Sequence, residues 1–197
     1  YEPEQAETIL KNITIQEGRN GVLTPVAELE PVQLAGTTIK RATLHNLDEI
    51  RRKDIRIGDH VIIQKAGEII PVVMNVVKSK RSQNFSLYEF PEICPCCLKK
   101  SIEKIEGEVA FRCINLQCPA QIKSWIEHFS ARAAMDISGL GESMIQQLID
   151  ERLVQNPADL YNLTAADLYK LERTGKKSIN NLLDSIEKSK SRPFSKV

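Results

Sequence analysis

Residues 18–46 read GRNGVLTPVAELEPVQLAGTTIKRATLHN, and this stretch decides the fold. It opens on a tight turn, Gly18-Arg19-Asn20-Gly21, and continues into Val22–Leu29, which reads as a strand. Pro25 lacks an N–H and confines that strand to a sheet edge or a bulge. The next segment, 37–45, alternates between apolar and polar residues, which indicates another strand. This alternation predicts one shared face for Ile39, Arg41, Thr43 and His45.

The sequence on either side of this stretch completes a pattern of short elements. Upstream, Ile13 and Ile15 alternate with polar residues. Downstream, Asn46 followed by Glu49 is typical of a capped helix start, and two further strands are predicted at 60–65 and 69–77. Three strands, a short helix and two strands are the order of a five-stranded OB barrel. An SH3-like barrel would give a similar pattern.

Five cysteines occur in a chain without secretory features, which favours reduced thiols or metal ligation over disulfides. Four of them form two close pairs, Cys94 with Cys97 and Cys113 with Cys118. Zinc readily takes four thiolates from two such turns, so the spacing predicts a small zinc finger. Cys96 could replace Cys97, but it lies too near Cys94 for the usual turn and is predicted to be free. Four protein ligands leave no open position, so the metal should be structural.

Two glycine-containing connectors each precede a predicted helix. Ser138-Gly139-Leu140-Gly141 comes before a helix that starts near Glu142, and Arg173-Thr174-Gly175 comes before Lys176, Lys177 and Ser178. Amides at a helix start, with the helix dipole behind them, form a site for phosphate. Aligning Gly141 with Gly175 puts Arg173 where the first glycine was, so the second copy is degenerate. Both copies predict hairpins of the helix-hairpin-helix type.

Composition excludes several classes. Of 197 residues, 42% are hydrophobic and 27% charged, which is typical of a soluble globular protein. No apolar run approaches the roughly 20 residues that span a bilayer. Net charge is +1 and the pI about 7.8, below the value of about 9 that marks strongly basic nucleic-acid binders. DNA affinity would have to come from backbone amides and from local patches, namely Arg173–Lys196 and the group Lys40, Arg41, Arg51, Arg52, Lys53 and Arg56.

Catalytic patterns are missing from the sequence. The three histidines are isolated, and neither a phosphate-binding P-loop nor a Lys-x-Asp-Gly motif occurs. We therefore predict no catalytic residue in this chain.

Together, these segments resemble the bacterial NAD⁺-dependent DNA ligases over nearly the whole chain. The stretch 18–46 carries most of this likeness. The rest comes from DIRIGDHVIIQKAGEIIPVV (54–73), CPCC (94–97) with CINLQCPAQ (113–121), ARAAMDISGLGE (131–142) and LERTGKKS (171–178). The resemblance implies a multidomain α+β protein with an OB barrel, a four-cysteine zinc finger and part of an all-α helix-hairpin-helix domain.

The resemblance also implies roles for individual residues. Arg19, Asn20, Ile69 and Ile70 would meet the minor groove near a nick. Gly139, Gly141 and Gly175 would contact phosphates through backbone N–H groups, with Lys176 and Lys177 adding charge. One structural Zn²⁺ is expected here, whereas NAD⁺ and Mg²⁺ would serve the full-length enzyme and bind outside this chain. Nicked duplex DNA is the implied partner of a monomeric, cytoplasmic bacterial enzyme of replication and repair.

The implied domain organisation has five parts. Residues 1–8 would end an adenylation domain, 9–80 form the OB domain, 81–90 a linker, 91–119 the zinc finger and 120–197 the first half of the helix-hairpin-helix domain. The resemblance further implies that domains rotate about the polar segment 78–84. The chain looks excised from a longer protein, so by itself it should bind DNA weakly and seal nothing.

Two other functions fit parts of the sequence. An OB-plus-zinc module could bind single strands, although such proteins use aromatic stacking platforms and residues 12–77 contain no Phe, Trp or Tyr. A zinc scaffold that does not touch nucleic acid would show no salt-dependent DNA binding.

Overall fold

The computed structural model describes residues 4–65 and 70–193, with the side chain of Arg19 left out. The chain divides after Ile114 into two compact units, 1–114 and 115–197. Within the described residues, no helix is both long and apolar enough to cross a membrane.

The first unit contains the predicted five-stranded OB barrel. Its strands follow the order β1-β4-β5-β3-β2, and pairing between β1 and β2 closes the barrel. Only β3 and β5 are parallel; the other neighbours run antiparallel. The elements are β1 Glu4–Glu17, β2 Val22–Leu34, β3 Thr37–Thr43, α1 Leu47–Arg52, β4 His60–Lys65 and β5 Val72–Val76. The boundary predicted after residue 8 falls inside β1, whose first residues pair with β4.

A single apolar cluster fills the barrel, including Leu10, Leu29, Ile50 and Ile63. The predicted capping of α1 is present, because the Asn46 side chain accepts a hydrogen bond from the Glu49 N–H at 2.9 Å. Burying the apolar faces of five short strands and this helix against one another is what makes so small a sheet stable.

The predicted face of β3 is wrong. Ile39 is buried, but Arg41 is exposed, and the buried positions that follow are Ala42 and Leu44. The pairing of β2 with β3 shifts between Glu28 and Val32, where β2 contains extra residues. Such a bulge bends and twists the strand pair, so simple alternation fails across it.

A two-stranded extension continues the barrel sheet beyond β2. Strand β6, Ile102–Lys104, pairs with β7, Phe111–Cys113, and β7 pairs in turn with the first two residues of β2. The barrel and most of the cysteine segment therefore share one seven-stranded sheet.

The segment predicted as a linker is fastened to the barrel. Arg81 donates to both carboxylate oxygens of Asp59 at 2.7 and 2.6 Å and to Asp54 at 2.9 Å. The ring of Phe85 lies over Gly58, whose φ is +99°, so closely that a Cβ there would come within 2.7 Å of the ring. Tyr88 packs against the barrel core. Residues 81–88 thus extend the barrel's surface.

The second unit is helical. Its helices are α2 Pro119–Ser130, α3 Glu142–Asp150, α4 Ala165–Tyr169 and α5 Lys176–Ser189, with a 3₁₀ segment at Pro157–Asn162. Thr164 and Asp167 form a full capping box at the start of α4. The buried face of α2 carries Ile126 and Phe129, whereas Trp125 is 55% exposed.

Candidate metal centre and nucleic-acid interface

Two backbone turns carry the predicted cysteine ligands. In the first, the Leu98 N–H donates to the Cys94 carbonyl at 2.9 Å, and Leu98 takes a left-handed φ of 57°. In the second, the Cys118 N–H donates to the Asn115 carbonyl at 2.9 Å. Cys118 is the N-cap residue of α2, and Pro119 occupies the first turn of that helix. Each turn directs two sulfur atoms to one side.

The four sulfur atoms form one group. The Sγ atoms of Cys94, Cys97, Cys113 and Cys118 all lie within 4.8 Å of one another. The Cys97–Cys113 separation is 3.9 Å, and zinc with four thiolates at about 2.3 Å has sulfur–sulfur edges of about 3.8 Å. The group is therefore placed to hold a metal ion of zinc's size. Cys96 is exposed and stands outside this group.

The electrostatics of the group also suit a cation. Burial raises the pKa of the Cys94 thiol to about 12, so at neutral pH a thiolate there needs a positive charge beside it. The buried Ser101 hydroxyl lies 3.2 Å from the Cys113 sulfur and 3.5 Å from the Cys97 sulfur. A hydroxyl carries one proton, so Ser101 can donate to either of the two thiolates. No motif signals Ser101, and sequence reasoning missed it.

The turn at Gly18–Gly21 has an unusual backbone. Asn20 and Gly21 take left-handed φ values of 56° and 72° in succession. The Gly18 N–H donates to the Val22 carbonyl at 2.8 Å and closes the turn. Asn20 is exposed, and Arg19 lies in the same turn. The turn connects β1 to β2.

Two contacts at this turn were missed by the sequence analysis. Arg112 donates through one guanidinium nitrogen to the Asn20 carbonyl at 3.1 Å and through Nε to Glu108 at 2.8 Å. Just before the turn, the Glu17 carboxylate accepts a hydrogen bond from the Cys94 thiol at 3.1 Å. Both contacts join residues about eighty or ninety positions apart, which local patterns do not reveal.

Of the two isoleucines predicted to meet the minor groove, the structure describes Ile70. Ile69 lies outside the described residues. Ile70 is 70% exposed, so its side chain is available at the barrel surface and is not part of the core. An exposed isoleucine is an apolar contact that the barrel has not used for its own packing.

The glycines of the first hairpin do two different jobs. Gly139 has a φ of +92°, a conformation that favours glycine, whereas a Cβ there would meet Leu182 at an ordinary contact distance of 3.5 Å. Gly141 has a φ of −76°, which any residue adopts, and a Cβ there would meet nothing within 4 Å. The second hairpin repeats this arrangement, since Gly175 caps α5 with a φ of −89° and also faces open space. Both helix starts are open to an approaching ligand.

The two hairpins are tied to each other's helices. The Ser138 N–H donates to the Ser185 hydroxyl on α5 at 2.8 Å, and the Glu172 N–H donates to the Gln147 side chain on α3 at 2.8 Å. Ser138 and Glu172 hold equivalent positions when Gly141 is aligned with Gly175. The sequence repeat therefore corresponds to a reciprocal arrangement in the helical unit.

The fold and the cysteine geometry define the class of protein: an OB-fold protein with a four-cysteine group that is placed to hold a metal ion. Comparisons with known proteins agree with the OB fold. Residues 7–85 match the family described as the NAD-dependent DNA ligase OB-fold domain. The chain is 53% identical over 192 residues to a DNA ligase of Heliobacterium modesticaldum, covering 98% of this chain and 28% of the relative. It is also 53% identical over 197 residues to a DNA ligase of Pelotomaculum thermopropionicum, covering 100% of this chain and 29% of the relative. The resemblance to DNA ligases predicted from the sequence is confirmed.

The chain spans less than a third of the length of these curated relatives. The NAD-dependent ligase OB-fold match lies within the first unit, whereas the similarity to DNA ligases continues through both units.

Proposed function

We propose that this chain is a DNA-binding, non-catalytic part of an NAD⁺-dependent DNA ligase that seals single-strand nicks between a 5′-phosphate and a 3′-hydroxyl. The barrel and the helical hairpins hold nicked duplex, while NAD⁺ and Mg²⁺ bind in a part of the ligase outside this chain. About half of the residues are identical to DNA ligases along the whole chain, which supports this assignment. The ligase acts as a monomer in the bacterial cytoplasm during replication and repair.

The observation that carries the proposal is the turn at Gly18–Gly21. It lies inside the region that matches the ligase OB-fold domain, and it contains Arg19 and the exposed Asn20. Arginine entering a minor groove beside an apolar side chain, such as the exposed Ile70, is a common mode of groove binding. Ile69, which precedes Ile70 in the sequence, is proposed to act with it.

The helical unit supplies the second proposed contact. The first amides of α3 and α5 have no side-chain cap, and uncapped N–H groups at a helix start bind phosphate oxygens well. Gly141 and Gly175 leave space for that approach, Gly139 shapes the first hairpin, and Lys176 with Lys177 adds charge at the second. This is the helix-hairpin-helix mode of gripping the backbone without reading sequence.

Zinc is the proposed occupant of the four-cysteine group, in a structural role. Cys113→Ser should abolish binding of one zinc equivalent, since three ligands remain, and should lower the melting temperature. Cys96→Ser should retain the metal. Zinc content measured by atomic absorption decides this, and a Cys113→Ser protein that still holds one zinc contradicts the assignment.

The test of function compares DNA forms. Fluorescence anisotropy with this chain should show tighter binding to nicked duplex than to a single strand of the same length. Arg19→Met should weaken nicked-duplex binding several-fold, whereas Lys100→Met, which also removes one charge but from the exposed pair with Glu92, should not. Preference for the single strand would favour a single-strand-binding module and contradict the proposal.

Catalysis is tested separately. This chain, incubated with labelled NAD⁺, should take up no label, and the longer protein that contains it should seal nicks with NAD⁺ and not with ATP. Label uptake by this chain would show that it has a catalytic role, which contradicts the proposal. Sealing that depends on ATP would overturn the NAD⁺ assignment.

A further inference from the structure

The turn at Gly18–Gly21 is conformationally demanding and lies at the surface. Two successive residues, Asn20 and Gly21, are left-handed, a backbone that costs most L-residues about 1–2 kcal/mol and that glycine and asparagine adopt more readily. The Gly18 N–H donates to the Val22 carbonyl and closes the turn. Exposed turns with few contacts of their own open readily unless neighbouring structure holds them.

Strand β7 provides that neighbouring structure. Its residues Arg112 and Phe111 pair with Val22 and Leu23, the two residues that leave the turn. From the same strand, the Arg112 guanidinium reaches back to the Asn20 carbonyl at the turn's centre. The turn is thus held at its exit and at its left-handed residue by one strand.

The residues directly before and after Arg112 fix the position of β7. Cys113, directly after Arg112, is buried and belongs to the four-cysteine group. Phe111, directly before it, stacks on Phe90 with ring centroids 4.3 Å apart and planes 12° apart. Glu108 holds the Nε of Arg112 and so fixes the direction of the guanidinium. Placing Cys113 on a metal therefore also places Arg112.

We propose that the metal-binding module, namely the four-cysteine group with strands β6 and β7, acts as a brace for the turn at Gly18–Gly21. Arg112 is the positioning residue: when the metal is bound, its guanidinium is held in place to bond the Asn20 carbonyl. The module thereby has a second role besides its own stability. The DNA half of this proposal rests on the function proposed above, whereas the bracing of the turn is independent of it.

Trypsin cleavage after Arg19 measures how often the turn opens, and no DNA is needed. In the zinc-loaded chain, Arg112→Met should speed cleavage at this bond about tenfold, the change expected for losing one hydrogen bond from a charged donor. Cleavage after Lys170, in the helical unit, serves as the internal reference. Lys100→Met is the matched control in the same module and should leave the Arg19 rate unchanged.

Two further measurements separate bracing from general unfolding. Zinc content and melting temperature should stay close to those of the parent chain in Arg112→Met. Arg112→Lys keeps the charge but lacks the planar fork that reaches Glu108 and Asn20 together, so it should not restore protection. Removing zinc with a chelator should expose the Arg19 bond at least as much as Arg112→Met does. If either Arg112→Met or chelation leaves the cleavage rate unchanged, the brace does not exist.

The DNA consequence is measured by a double-mutant comparison. Arg112→Met should weaken nicked-duplex binding several-fold in the parent chain, but should add little once Arg19→Met is present, because both act through the same turn. If Arg19→Met does not affect binding, the proposed DNA contact fails while the proteolysis result stands. If the two effects are fully additive, Arg112 does not act through the turn and the inference fails.

Discussion

Arg173 holds a backbone conformation that the first hairpin gives to glycine. Its φ is 57°, and Gly139, which occupies the equivalent position, has a φ of 92°. An L-residue other than Asn or Asp pays roughly 1–2 kcal/mol for this conformation. Arg173 is exposed, so packing compensates for little of that cost. The hairpin is conserved in shape between the two copies although the residue differs.

Replacing this arginine by glycine should therefore stabilise the helical unit. Arg173→Gly removes the left-handed penalty but adds roughly 0.5–1 kcal/mol of chain entropy, which leaves a gain of about 0.5–1 kcal/mol. Lys170→Gly is the matched control, because Lys170 has a helical φ of −73° and glycine there should destabilise. Urea unfolding measures both. A lower midpoint for Arg173→Gly would show that its side chain contributes more than its backbone costs.

At the level of elements, the glycines at the starts of α3 and α5 can be tested for two roles, one in helix capping and one in ligand binding. Serine is a better N-cap than alanine and at least equals glycine, and both Gly141 and Gly175 have the extended backbone of an N-cap. Gly141→Ser and Gly175→Ser should consequently keep or slightly raise the melting temperature. The added side chains should also bond the amides that are proposed to hold phosphate.

These same variants should weaken binding to nicked duplex several-fold, so that stability and affinity change in opposite directions. Ser143→Ala, within the first turn of α3, is a control that alters neither the cap nor the open space at Gly141. Anisotropy titrations on the folded variants measure the effect. Unchanged affinity in both serine variants would mean that the helix starts do not contact DNA.

The segment after β5 gives an element-scale prediction about pH. The hydrogen bond from Arg81 holds the pKa of Asp54 below its ordinary value of 3.8. A carboxyl whose folded pKa is lowered contributes stability that is complete above its unfolded pKa and is lost as the pH falls through the folded one. Arg81 also pairs with Asp59, whose side chain is fully buried.

Arg81→Met should therefore cost about 3–5 kcal/mol at neutral pH, because it leaves a buried carboxylate without its cation. The Asp54 share of this cost should shrink as the pH falls below 3.8 and through the lower folded pKa, so parent and variant should approach each other in acid. Arg52→Met, which removes an exposed pair with Glu49, should cost less than about 1 kcal/mol. Urea unfolding across this pH range tests the prediction. A pH-independent difference would assign the effect to lost packing and not to the ion pairs.

Local sequence patterns predict helices and strands well where the signal depends only on neighbouring residues, as at turns and helix caps. The order of the barrel strands, the cap at Asn46 and the helix starts at Glu142 and Lys176 follow from such signals and are present. The face of β3 was predicted wrongly because a bulge in its partner strand is a pairing property, invisible in β3 itself. Arg81 and Arg112 were missed for the same reason, since both act on residues distant in sequence.

For the whole molecule, the net charge of +1 conceals an uneven distribution of ion pairs. The ion pairs of the helical unit are Lys123 with Glu142, Lys190 with Glu187 and Arg192 with Asp136. Within the described part of the chain, none involves the cations around the start of α5, namely Lys170, Arg173, Lys176 and Lys177. Lysines in the first turn of a helix oppose its dipole. They cost stability there unless an anion is bound, which is consistent with a phosphate contact.

The salt dependence of DNA binding tests that interpretation and also separates the remaining functions. Each phosphate neutralised adds about −0.9 to the slope of log K against log salt concentration. The Lys176→Gln, Lys177→Gln double variant should thus have a slope shallower by about one to two, whereas Lys100→Gln should keep the parent slope, because Lys100 is paired with Glu92. A slope of zero in the parent chain would favour a zinc scaffold that does not touch nucleic acid. A steep slope that the double variant leaves unchanged would move the phosphate contacts away from α5, toward the barrel's own basic residues.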